Sequence, residues 1–114
     1  METSELHHEI LEQPAALQRL LDAQGGNVRH LAAAIHKHPP RFLMLAARGT
    51  SDNAARYGQY LFGAHNRLPV ALATPSLFTL YQAPPDLADA LVVGISQSGQ
   101  SPDICAVVEA GRKQ

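Results

Sequence analysis

Three short, almost uninterrupted apolar runs punctuate the chain, at residues 41–47, 69–73 and 90–96. A run of strand length without alternation predicts a strand covered on both faces. The stretches between and before them instead repeat apolar residues at spacings of three and four, the period of a helix with one buried stripe. Residues 4–12 carry Leu6, Ile10 and Leu11, and Pro14 marks a break that opens a second helix bearing Leu17, Leu20 and Leu21. Gly25-Gly26 ends that helix, and Asn27 caps a third with Val28, Leu31, Ala32 and Ile35, which stops before Pro39-Pro40. Residues 52–64 form the next helix, turning Ala55, Tyr57 or Gly58, Leu61 and Phe62 inward. Residues 76–82 supply one or two turns, and residues 102–112 a last helix with Ile104, Val107, Val108 and Gly111 near one face.

Helices alternating with short apolar strands predict an α/β protein, a three-layer αβα sandwich around a parallel sheet with right-handed crossovers. The doubly wound, flavodoxin-like arrangement gives strand order 2-1-3 in the part present, preceded by N-terminal helices. Residues 1–38 are expected to form the helical segment and residues 39–114 the sheet domain. Three parallel strands make a small sheet, and the chain stops where a fourth strand is expected, so it reads as a truncated domain.

Composition narrows the function. At 114 residues, 46% hydrophobic and 17% charged, the chain is ordinary globular material of about one domain's length. A net charge of −1 with no basic run excludes a broad nucleic-acid or anionic-membrane surface. No apolar stretch approaches the ~20 residues of a membrane span, and the polar start is not a secretory signal, so the expected location is cytoplasmic. The single cysteine, Cys105, excludes an internal disulfide and is expected to be a small buried helix residue. Six histidines raise a metal site, but His7-His8 and His36/His38 have poor spacing for one helical face, and no metal is expected.

Chemistry concentrates where two of the apolar runs end. Residues 91–95 lead into Ser96-Gln97-Ser98-Gly99-Gln100-Ser101, and a helix opens at Pro102. Residues 43–47 lead into Arg48-Gly49-Thr50-Ser51 before another helix. Hydroxyls, amide N–H groups and the positive end of a helix together suit an oxyanion. In order 2-1-3, strands one and three are neighbours, so these loops meet at the switch point where such sheets bind ligands. Capping uses one side chain per helix, and the second loop holds more than that. No nucleotide fingerprint of the G-x-G-x-x-G or G-x-x-x-x-G-K-[ST] kind is present, and neither loop has a lysine, which predicts neutral donors.

At these residues the chain resembles the sugar isomerase (SIS) domain family, above all the isomerase half of glutamine–fructose-6-phosphate aminotransferase and its deaminase relatives. His8-Glu9-Ile10-Leu11-Glu12-Gln13-Pro14 resembles the E-I-x-E-Q-P start of that region. Gly49-Thr50-Ser51 resembles its G-T-S loop, with Arg56-Tyr57 at a familiar place beyond it. Ser96-Gln97-Ser98-Gly99-Gln100-Ser101-Pro102-Asp103 resembles its S-Q-S-G-E-[ST]-x-D phosphosugar loop, with Gln100 in place of glutamate. Arg48 stands where the family has a small residue or cysteine.

The resemblance implies binding of a hexose or hexosamine 6-phosphate. Ser51, Ser96, Gln97, Ser98 and Ser101 match the positions that hold phosphate and nearby sugar oxygens, and Thr50 matches through its backbone. It implies no cofactor, a sugar-phosphate ligand, and a homodimer for the full-length protein. Such relatives carry two of these domains, with the acid/base residues in the later part, so no catalytic residue is assigned here and this chain alone is expected to be inactive. The cysteine nucleophile of the glutaminase domain is not matched, position 2 being Glu2, which favours isomerase or deaminase chemistry over glutamine hydrolysis. The alternatives are a non-catalytic phosphosugar sensor and an inactive gene fragment.

Overall fold

The computed structural model describes residues 4–114. They fall into two compact units, one ending at Pro39 and the other running from Pro40 to Gln114. The first unit is a single helix, α1 (Glu5–Lys37). Ser4 caps it by accepting from the His7 amide, and the His38 amide closes the far end on the Ala34 carbonyl. This corrects the expectation of three helices broken at Pro14 and Gly25-Gly26. Proline costs about 3 kcal/mol and glycine about 1 kcal/mol each inside a helix, yet strong helix formers from Ala15 to Leu21 carry the turns onward. Side-chain bonds also span both weak points: Arg19 to Glu12 at 2.8 Å across Pro14, and Asn27 to Gln24 at 2.8 Å across the glycine pair. None of the helix's residues is buried; Leu6, Ile10, Leu17, Leu20, Leu21, Val28 and Leu31 are all at least half exposed.

The second unit is built on strands β1 (Phe42–Ala47), β2 (Val70–Leu72) and β3 (Ala90–Ile95), all parallel and in the order β2-β1-β3. Registers run from Leu43 opposite Val70 on one side of β1 and from Phe42 opposite Ala90 to Ala47 opposite Ile95 on the other. Helix α2 (Ser51–Asn66) follows β1, the four-residue α3 (Ser76–Thr79) follows β2, and α4 (Pro102–Lys113) follows β3.

Side-chain alternation along β1 divides the core in two. Leu43, Leu45 and Ala47 pack with Ala55 of α2 on one face. Ala46 packs with Ile104 and Val107 of α4 on the other, joined by Phe78 and Val92. Continuous apolarity in residues 43–47 is therefore the sequence of a middle layer, as expected. The inward residue of α2 is Gly58, whose added Cβ would stand 3.1 Å from Leu45 Cδ1, and not Tyr57, which is exposed. Glycines also admit α4 onto β3. A Cβ on Gly94 would meet Ile104 Cγ2 at 2.9 Å, and one on Gly111 would meet Val92 Cγ2 at 2.6 Å. No helix among the described residues is long and apolar enough to cross a membrane.

Candidate functional site

The last ladder pair of β1 and β3, Ala47 opposite Ile95, sends two loops off from adjacent positions at one end of the sheet. The first, residues 48–50, turns at Gly49, whose φ of 59° is open to glycine at little cost. The Asp52 and Asn53 amides then donate to the Gly49 and Thr50 carbonyls as α2 begins. Thr50 is the N-cap residue of α2 but makes no side-chain cap bond, and Ser51 is the half-buried first residue of the helix.

The second loop, residues 96–101, is shaped by its own serines. Ser96 Oγ accepts from the Gly99 amide at 3.1 Å, and Ser98 Oγ accepts from the Gln100 amide at 3.2 Å. These side-chain turns, with Gly99 at φ 70°, shape the loop that leads into α4. Because each hydroxyl is used as an acceptor, its O–H still has a proton to donate. Ser101 is the N-cap of α4 and, like Thr50, makes no side-chain cap bond; Pro102 takes the first helical position. Ser96, Gln97 and Ser98 are exposed and Ser101 is half-buried.

The six expected residues thus lie in two clusters, Thr50–Ser51 and Ser96–Ser101, at the same end of neighbouring strands. A side-chain tie spans the clusters. Arg48 donates from Nη1 to Asp103 Oδ2 at 2.8 Å, and Thr79 donates to Asp103 Oδ1 at 3.1 Å. In the sequence, Arg48 and Asp103 are visible only as motif positions, and Thr79 carries no signal at all.

A hollow of about 440 Å³ opens beside the second loop, but it is a different space. Ser96 and Gly99 reach it, whereas its walls are otherwise Gly94, Ile104, Cys105 and Val108 with Glu109, and no residue of the first loop lines it. An apolar trough on the outer side of β3 is poorly suited to a phosphate, so the paired loops are the better candidate. Cys105 is exposed, with its thiol 3.8 Å from the Gly99 carbonyl. That corrects the expectation of a buried cysteine. The inward stripe of α4 is Ile104 and Val107, and the residue after Ile104 turns roughly 100° away from it.

Glu109, one wall of the hollow, has its carboxyl lowered from 4.5 to about 2 by hydrogen bonds from Arg112 and by the charges of Arg112 and Lys113. Among the described residues no three His, Cys, Asp or Glu side chains converge as metal ligands would.

No protein-family model matches the chain. It is 33% identical over 117 residues to the glutamine–fructose-6-phosphate aminotransferase (isomerizing) of Chlorobaculum tepidum, covering 93% of this chain and 18% of that protein. The Synechocystis aminotransferase matches at 33% over 119 residues, with the same coverage of 93% and 18%. A crystal structure described as a phosphosugar isomerase from Silicibacter pomeroyi superposes with a TM-score of 0.89 at 40% identity, covering 93% of this chain and 32% of that one. The chain therefore spans less than a fifth of the aminotransferases and about a third of the isomerase chain. Shared sequence and shared fold agree with the two loop motifs, and the chain is similar to a segment of these larger proteins, in line with its resemblance to the sugar isomerase (SIS) domain family.

Proposed function

We propose that this chain binds a hexose or hexosamine 6-phosphate at the paired loops, as the N-terminal part of a tandem-SIS isomerase or deaminase of the glucosamine-6-phosphate type. The observation that carries the reading is the in-register β1–β3 pairing, which brings two polar loops to one end of the sheet, each followed by a helix start. The phosphate is received by the hydroxyls of Ser51, Ser96, Ser98 and Ser101, the Gln97 side chain and backbone N–H groups near Thr50. Hydrogen bonds to a charged group contribute roughly 1.5–3 kcal/mol each, so four or five donors hold a phosphate without a lysine. Fixing the phosphate fixes C1 and C2 of the opened sugar, converting proton transfer between them into a positioned, effectively unimolecular step. The acid and base for that step come from residues outside this segment, and the working protein is a cytoplasmic homodimer.

Calorimetric titration with glucosamine 6-phosphate and fructose 6-phosphate tests this. One ligand binds, and Ser96→Ala with Ser98→Ala weakens it at least about tenfold, the loss of one charge-assisted bond or more. Ser101→Ala separates ligand contact from loop shape, since that side chain makes no cap bond. Absence of binding to both sugars, or binding indifferent to these substitutions, refutes the reading.

A further inference from the structure

The connections after β1 and β2 each send one polar group to the same carboxylate, which lies in the helix after β3. Arg48 follows β1 and holds Asp103 Oδ2 at 2.8 Å. Thr79 ends α3, in the connection after β2, and donates to Asp103 Oδ1 at 3.1 Å while lying 3.2 Å from the Pro75 carbonyl. Asp103 itself is the second residue of α4, after β3. Both carboxylate oxygens are thereby taken, by elements 55 and 24 positions away in sequence. Each loop has its own internal turn, through Ser96, Ser98 and the Gly49 and Thr50 carbonyls, but those bonds stay within one loop. Among the described residues, the Arg48–Asp103 bond is the one that joins the first loop to the helix start behind the second.

Its energetic role is not global stability. The Arg48 side chain is 57% exposed and that of Asp103 is 30% exposed, and ion pairs so open to water contribute little to folding. Its charge matters more. Asp103 stands two positions beyond Ser101, so without a partner it presents a negative charge toward any phosphate received by that loop. Arg48 cancels the charge and, in the same contact, fixes the distance between the loops.

We propose that Asp103 is a positioning residue of the two-loop site and that Arg48 is its strut, the pair setting the gap that a sugar phosphate must span. This rests on the reading of the loops as a sugar-phosphate site. The role separates from simple electrostatics by sign. Asp103→Asn removes a negative charge and frees a guanidinium, so a charge effect alone tightens anion binding; loss of the strut weakens it.

The test has two arms on the full chain. Titrated with glucosamine 6-phosphate, Asp103→Asn and Arg48→Gln each bind about fivefold more weakly, at the lower end of coupling between sites, and Arg48→Lys recovers part of the loss by restoring the charge. Without ligand, hydrogen exchange at the Asp52, Asn53 and Gly99 amides rises together in Asp103→Asn, while the β1 amides keep their protection. Tighter or unchanged sugar-phosphate binding in Asp103→Asn, or unchanged exchange at those amides, overturns the strut alone. Failure of the unsubstituted chain to bind overturns the site itself and the positioning role with it.

Discussion

Among the glycines of the sheet unit, those where α4 meets β3 leave the least room for a side chain, and Gly111 is the residue to perturb. In Gly111→Ala the new methyl stands 2.6 Å from Val92 Cγ2, 2.9 Å from Val92 Cβ and 3.4 Å from Val92 Cγ1. Rotating Val92 about χ1 moves the methyls but not Cβ, and a β-branched residue in a strand has few other rotamers. The helix must therefore lift, by several tenths of an ångström, to bring carbon pairs toward the ~3.5–4.0 Å of ordinary contact. Overpacking of this kind costs about 1–3 kcal/mol. Alanine returns at most about 1 kcal/mol of helix propensity, less here because Gly111 lies in the last turn of α4. The expected net is a loss of about 1–2 kcal/mol, or roughly 4–16 °C in Tm for a unit this small. Gly26→Ala in α1 is the control, because nothing lies within 4 Å of its Cβ position; there propensity acts alone and helicity rises. Urea denaturation followed at the sheet unit, with circular dichroism for α1, reads both. If Gly111→Ala is as stable as the unsubstituted chain, the steric account of α4 docking is wrong.

Two further outcomes follow from packing and charge. Leu45→Ala opens a cavity between β1 and α2 beside Leu43 and Ala55, where Leu45 is 2% exposed; the urea midpoint falls by an amount equivalent to about 2–5 kcal/mol, and a loss under about 1 kcal/mol would contradict the assigned core. The Glu109 carboxyl titrates well below its ordinary 4.5, near 2, because Arg112 binds it. A folded-state value below the unfolded one favours the folded chain above the unfolded value, and that contribution disappears as pH falls toward 2. Carboxyl-carbon NMR should place the midpoint far below 4.5 at low salt, and Glu109→Gln should remove this part of the acid sensitivity; an ordinary midpoint refutes the pairing.

Much of this arrangement was readable from residue pattern. Residues 43–47 hold no polar position, as suits a strand buried on both faces, and the strand order followed from the doubly wound arrangement. What pattern missed came from context. Pro14 and Gly25-Gly26 are local breakers, but local propensity is a weak prior against a run of helix formers with bonds bridging the gaps. Tyr57 and Gly58 both suit an inward position by period, and only the proximity of Leu45 selects the glycine. Ser96 and Ser98 stood out in sequence as candidate donors, but not as the builders of their own turns. The Thr79–Asp103 bond had no sequence signal, since α3 is too short to show a period.

The order β2-β1-β3 also bears on when the site exists. Leu43 pairs with Val70, but Phe42 pairs with Ala90, so bringing β3 home closes a loop nearly twice as long. Each doubling of loop length adds about 0.6 kcal/mol of closure entropy, which makes the β1–β2 pairing the cheaper closure. In a chain whose β3 is undocked, one loop is shaped and the other absent. A ligand that needs both loops has nothing to grip in that state, so it slows unfolding of the finished sheet without speeding its assembly.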